Sequence, residues 1–247
     1  MSATVRVLGS GDAFGSGGRL QPCVLFEAGG ARVLIDCGTS VLPAIRRAGI
    51  SPASIDAAVV THLHGDHFGG LPFLLLDGVY GDRRGTPLTL GGPAGLEGRT
   101  LAVLDLLYPG VREKLPGRVD ARFVELVAGR AVDVGPASVL AFPARHGGGA
   151  QSLSLRVSLG GRVVACSGDT EWTEALLDVA RGADLFLCEC SGFEAPLVGH
   201  LSYRQLAQRR NDLDARRVVL THLGADVLSR LDQVEFEVAS DGLLLEL

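Results

Sequence analysis

Apolar residues along this 247-residue chain recur in short alternating or continuous runs bounded by turn residues, and such runs predict β-strands. They fall at 5–8, 23–27, 32–36, 57–60 and 88–90, and then at 121–126, 138–142, 152–157, 162–166, 185–188, 218–221 and 235–238. Helical spacing or composition marks 40–48, 71–76, 99–107, 174–181 and 203–210. The last carries its own start signal, because Ser202 and Gln205 have the spacing of a capping box. Hairpin-like pairs stand at both ends of the chain, and no linker or charge block divides it. The pattern predicts one domain over residues 1–247, of α/β (α+β) class, with two sheets covered by helices.

One segment echoes another. Val59-Val60-Thr61-His62-Leu63 and Val219-Leu220-Thr221-His222-Leu223 each place a histidine just past an apolar strand. Chance similarity of β-rich segments gives such an echo, and so does a pair of sheets whose carboxyl edges converge on one site.

Composition narrows the class. With 47% apolar and 21% charged residues the chain can bury a large core and is not disordered. A net charge of −5 gives no global attraction to nucleic acid, and the 23 basic residues, all arginine except Lys114, are scattered. The N-terminal residues alternate like a strand and lack a signal peptide's apolar block. Nor does any apolar run approach the roughly 20 residues needed to span a bilayer, so the cytoplasm is the expected location and no membrane partner is expected. Cys23, Cys37, Cys166, Cys188 and Cys190 lie mostly in apolar runs and read as buried free thiols. Cys188-x-Cys190 lacks the two-residue gap of zinc knuckles and redox motifs.

The histidines carry the chemistry. His62, His64, Asp66 and His67 pack four ligand-type side chains into six residues directly after an apolar strand, and His146, His200 and His222 stand alone. Imidazole and carboxylate suit zinc, and two adjacent ions need about seven or eight protein ligands. His62 and His64 alternate, so an extended loop turns both rings toward one ion, while a sharp turn at Gly65 aims Asp66 and His67 at a second. His146 follows a strand and precedes the glycine run 147–149. Asp169 follows the strand at 162–166, where an aspartate can bridge two cations. Taken singly, His146 and His222 would be ordinary packed or surface histidines, and Asp169 a turn residue; order and context favour ligation.

With the signature His-x-His-x-Asp-His at His62, His64, Asp66 and His67, the chain resembles the metallo-β-lactamase-fold hydrolases from its first strand through His222. The resemblance implies a four-layer αββα sandwich of two mixed β-sheets. It further implies that His62, His64 and His146 hold one Zn2+, that Asp66, His67 and His222 hold another, and that Asp169 bridges them, with Mn2+ or Fe as alternatives. A hydroxide between the ions would then be the nucleophile. Gly199-His200-Leu201-Ser202-Tyr203 is similar to the histidine motif of the ribonuclease Z branch. There such a histidine protonates the leaving oxygen and is oriented by a glutamate, whose matching place is held by Glu189.

Two departures bear on the substrate. Only 22 residues separate His146 from Asp169, too few for the long tRNA-binding arm of those enzymes. The N-terminal loop also differs, with Gly9-Ser10-Gly11-Asp12-Ala13-Phe14-Gly15 and Arg19 in place of the usual processing-enzyme loop. Its backbone amides and Arg19 are candidates to meet an anion. The expectation is a dinuclear zinc phosphodiesterase acting on a small anionic substrate, such as a cyclic nucleotide or short oligonucleotide, with Asp66, His200 and Glu189 as catalytic residues. The alternatives are a lactonase, sulfatase or other ester hydrolase of the same fold, and a di-iron redox protein. A binding module that has lost its ligands is disfavoured because none is missing. The family resemblance also implies a homodimer, for which the apolar helix at 71–76 serves either as interface or as core.

Overall fold

The computed structural model describes residues 3–147 and 151–247. Its first sheet runs in the order β14 (Leu244–Glu246), β1 (Thr4–Gly9), β2 (Cys23–Ala28), β3 (Ala31–Ile35), β4 (Ala57–Val59), β5 (Leu88–Gly92) and β6 (Ala121–Glu125). The second runs β13 (Glu237–Val238), β12 (Val218–Thr221), β11 (Leu185–Glu189), β10 (Arg162–Cys166), β9 (Leu153–Leu159), β8 (Ala137–Pro143) and β7 (Ala131–Val134). Both sheets are mixed: β3 to β6 are mutually parallel, as are β10 to β13, and the remaining neighbours are antiparallel.

Period-two alternation assigns each strand's two faces to different cores. Val24, Phe26, Val33, Ile35, Ala57 and Val59 meet Val164, Leu185, Leu187 and Val219 between the sheets. The alternate residues Leu25, Leu34 and Ala58 pack under α1 (Val41–Arg47), α3 (Leu71–Tyr80) and α4 (Leu96–Leu107). On the far side Ala165, Phe186, Cys188 and Leu220 pack under α5 (Ala175–Ala180), α6 (Tyr203–Gln208) and α7 (Ala225–Leu228). The result is the expected αββα sandwich. Central strands are buried on both faces, which is why they read as nearly continuous apolar runs.

The differences from the sequence reading have local causes. The edge strands β7 and β14 carry too few buried residues to show a pattern. The chain does not end in a hairpin, because β14 crosses to pair with β1 while β13 stays beside β12. Gly65 makes no sharp turn; it opens the short helix α2 (Gly65–Phe68), capped by the extended residue His64. In α3 the buried leucines Leu71, Leu74 and Leu75 belong to the core. Gly148 and Gly149 lie outside the described residues. No helix among the described residues is long and apolar enough to cross a membrane.

Candidate metal centre

Strands β8, β10, β11 and β12 run in one direction, since β9 is antiparallel to both β8 and β10. Just past or at their carboxyl ends they deliver His146, Asp169, Glu189 and His222, while β3 and β4 deliver Asp36 and His62. Ligand sites outside the carboxyl ends of parallel strands are the general rule for open α/β sheets. The short helix α2 adds Asp66 and His67 from its first turns, with His64 at its cap.

These side chains converge in two sets. His62 Nε2 and His146 Nε2 each lie 3.0 Å from His64 Nδ1. Beside them His67 Nε2 and His222 Nε2 lie 3.3 and 3.4 Å from Asp66 Oδ2. Asp169 faces both sets, with Oδ1 3.4 Å from His67 Nε2, and Oδ2 3.5 Å from His222 Nε2 and 3.8 Å from His62 Nε2. The groups His62, His64, His146 and Asp66, His67, His222 each bring their ligand atoms within 4.8 Å of one another. All seven expected ligands thus come together at one place.

The donor set fits a divalent cation. His67 Nε2 and Asp169 Oδ1 are buried without a hydrogen-bond partner, a cost of about 1–3 kcal/mol each that a cation would remove. Zinc–nitrogen bonds of about 2.0–2.1 Å bring tetrahedral ligand atoms within roughly 3.3 Å of each other, close to the spacing of the three nitrogens. Ligand orientation is fixed from behind. His62 Nδ1 lies 3.1 Å from Thr61 Oγ1, His67 Nδ1 2.8 Å from Asp36 Oδ2, His146 Nδ1 2.8 Å from the Gly199 carbonyl, and His222 Nδ1 3.2 Å from Ser191 Oγ. Occupying each Nδ1 leaves Nε2 to face the centre, the usual outer-shell device of a metal site.

Sequence reasoning missed Asp36. Its side chain, buried at 4% exposure, also accepts hydrogen bonds from Thr61 N at 2.8 Å and Thr61 Oγ1 at 3.0 Å. Its backbone is left-handed at φ 56°, and His222 shares that conformation at φ 53°. Such strain concentrates at functional sites. The available signal was an aspartate closing an apolar strand. Gly199, in the motif around His200, has a structural role of its own. At φ 79° it needs glycine, and a β-carbon there would sit 2.9 Å from His146 Nδ1.

The charge pattern follows the geometry. Burial, reinforced by repulsion from His67, pushes His62 down to about 2, and burial with repulsion from His146 also lowers His64. Both are then neutral, as ligation requires. For His222 burial acts downward, but the charge of Asp169 and the hydrogen bond to Asp66 outweigh it and raise the group to about 9. Asp169, despite burial, is held well below the carboxylate range by His222 and His67.

His200 stands apart. Its Nδ1 lies 2.9 Å from Glu189 Oε1 and 3.9 Å from Asp169 Oδ2. Glu189, at 1% exposure, is fixed by hydrogen bonds from Thr170 N at 3.0 Å, Ser191 N at 3.2 Å and Ser191 Oγ at 3.0 Å. Burial lowers the basicity of His200, yet the hydrogen bond and charge of Glu189 outweigh it and raise the ring above its ordinary value. The ring also lies close enough to His146 and Asp169, and to Glu189 and His222, to join a ligand set.

The N-terminal loop corrects an expectation. The Arg19 guanidinium is spent on Ser10 Oγ, at 3.0 Å, and on the Ala239 carbonyl. The amides of Phe14 and Ser16 donate to Asp12 Oδ1 at 3.1 and 2.9 Å, and that of Gly15 to the Asp12 carbonyl at 3.2 Å. These amides are therefore committed within the loop, and Arg19 is held through Nη1 by two neutral acceptors. The five cysteines are buried and free, and burial pushes the thiols of Cys166 and Cys190 up to about 12.

A fold of this kind with a convergent histidine and aspartate cluster defines a metal-dependent hydrolase class, and the chain belongs to it: the model of the beta-lactamase superfamily domain matches residues 31–223. Within that superfamily the curated relatives that the chain matches include ribonucleases Z. The enzyme of Mycolicibacterium paratuberculosis is 32% identical over 192 residues, covering 72% of this chain and 67% of the relative. That of Lachnospira eligens is 27% identical over 283 residues, covering 94% and 90%. The short form of human tRNase Z has the same fold, with a TM-score of 0.77 at 23% identity over 98% of each chain. Between His146 and Asp169 this chain has the antiparallel pair β9 and β10, which leaves no room for a long arm.

Proposed function

We propose that the protein is a dinuclear zinc-dependent phosphodiesterase for small substrates. His62, His64 and His146 would hold one ion, Asp66, His67 and His222 the other, and Asp169 would be shared. Bound there, divalent cations supply a water activated near neutral pH and neutralise phosphate charge.

The chain's own residues supply the rest. Asp36, Thr61, Ser191 and the Gly199 carbonyl orient the ligand rings, so no reorganisation is needed when substrate arrives. Glu189 holds His200 through Nδ1, which leaves Nε2 as the atom that carries a proton to the departing oxygen. The raised basicity of His200 keeps that proton available near neutral pH.

The observation that carries the reading is the 2.9 Å contact between His200 and the buried Glu189, beside the ligand cluster. The pair can protonate a departing alkoxide, and the ribonuclease Z relatives favour a phosphodiester over a lactone or sulfate ester as its source. The lack of space for an arm favours a small substrate over tRNA.

The test is a panel on the metal-reconstituted protein comparing phosphodiesters, phosphomonoesters, lactones and sulfate esters. A preference of at least tenfold in kcat/KM for a diester is expected. Preference for a lactone or sulfate ester would overturn the assignment.

A further inference from the structure

Phe14, in the loop between β1 and β2, is 92% exposed, yet its loop is tied down. Asp12 accepts from the Phe14 and Ser16 amides and, at 2.6 Å, from Ser16 Oγ, while Arg19 anchors the loop's far end to Ser10 and Ala239. Leu197, which lines the same cavity, is 57% exposed, and its backbone too is anchored. Its carbonyl accepts from His200 N at 3.0 Å, and the following Gly199 is fixed by Glu171 and His146. Phe14 and Leu197 line one cavity of about 500 Å³ that opens onto His64, His146 and His200. Exposed apolar side chains carried on anchored backbone and lining the cavity of a reactive site mark a binding surface.

The same cavity is poor in cations. No lysine or arginine lines it among the described residues, and its remaining charged groups outside the cluster are Asp12 and Asp226. Of the nearby guanidiniums, Arg230 pairs with Asp226 at 3.2 Å and Arg145 with Glu171 at 3.8 Å, while Arg19 is turned through Nη1 to Ser10 and Ala239 and does not line the cavity. Residues 148–150 are Gly, Gly and Ala and bring no charge. A single phosphate meets the metal centre, but each further phosphate would enter without a cationic side chain.

We infer that Phe14 and Leu197 form an apolar seat for an uncharged aromatic substituent of a singly charged diester, and that the site disfavours polyanions. The inference rests on the phosphodiester reading and adds the substrate's shape and charge. Stacking of a flat ring on an aromatic side chain contributes roughly 1–3 kcal/mol, equivalent to about five- to hundredfold in affinity.

The experiment compares KM on the metal-loaded protein for bis(p-nitrophenyl) phosphate and methyl p-nitrophenyl phosphate, which share charge and leaving group. In wild type the bis-aryl ester is expected to have the lower KM by about tenfold. Phe14→Ala with Leu197→Ala is expected to bring the two values within about threefold, whereas Leu106→Ala, an exposed leucine outside the cavity, preserves the gap. An unchanged gap in the double variant overturns the seat. Calorimetric binding of phenylphosphonate against methylphosphonate reads the seat without turnover. If neither diester is cleaved but the phenyl preference is present and lost in the double variant, the phosphodiester reading fails and the seat stands. Equal affinities in wild type overturn the seat itself. Competition that strengthens steadily from a thymidine dinucleotide to a hexanucleotide, and weakens steeply with salt, overturns the exclusion of polyanions.

Discussion

Asp36→Asn isolates the support behind one ligand. The side chain keeps its shape, and an asparagine tolerates the left-handed backbone at this position. Its carbonyl oxygen can still accept from Thr61 N and Oγ1, which Asp36 Oδ1 contacts at 2.8 and 3.0 Å. Its amide then faces His67 Nδ1, which now lies 2.8 Å from a carboxylate oxygen. Nδ1 must become an acceptor, so the ring proton moves to Nε2, the atom set between Asp66 and Asp169. A neutral His67 in that tautomer cannot ligate through Nε2.

The loss is one charge-assisted hydrogen bond, roughly 1.5–3 kcal/mol. At about 1.4 kcal/mol per factor of ten, this is about 10- to 100-fold in metal affinity, the usual cost of removing an outer-shell partner. The assay is competition for Zn2+ against a chromogenic chelator at neutral pH, with thermal melting of the metal-free proteins alongside. The metal-free variant should melt within about 4 °C of wild type, which would make the affinity change a matter of ligation. Metal affinity within twofold of wild type would refute the role given to Asp36.

Three further outcomes follow from the geometry. His200→Ala should keep its metal content while kcat falls about 10²–10⁴-fold for a diester with an alkoxide leaving group, and less for p-nitrophenolate, which needs no proton; equal losses for both would remove the proton-donor role. Asp169→Ala should bind fewer ions per chain by elemental analysis, since its two oxygens face both ligand sets; full metal content would refute the shared position. Asp184 is pushed up by burial, but the Val163 amide and Arg162 outweigh this and hold it below the usual range. Its stabilisation is therefore present above the unfolded pKa of about 4 and lost as pH falls through the folded value. Asp184→Asn should destabilise by of order 1 kcal/mol or less at pH 7, with a gap to wild type that closes in acid melts; a gap constant between pH 7 and 3 would contradict this.

The sandwich was legible in the sequence because its central strands are buried on both faces and advertise themselves as apolar runs. Edge strands such as β7, with mostly exposed residues, do not. The convergence of the candidate ligands was legible because four of them are local in sequence, and the lone members stand at strand exits. Contacts distant along the chain were not. Asp36 reaches His67 across 31 positions and Gly199 reaches His146 across 53, and no local pattern encodes either pairing. Arg19 is a similar case, since the sequence does not encode the contacts by which its Nη1 meets Ser10 and Ala239.

Anomalous diffraction from zinc-soaked crystals would locate the ions themselves. Two peaks per chain are expected, one held by His62, His64 and His146 and the other by Asp66, His67 and His222, with Asp169 adjoining both and His200 bound to neither. A single peak held by Glu189, His200 and His222, or no peak at the cluster, would contradict that assignment.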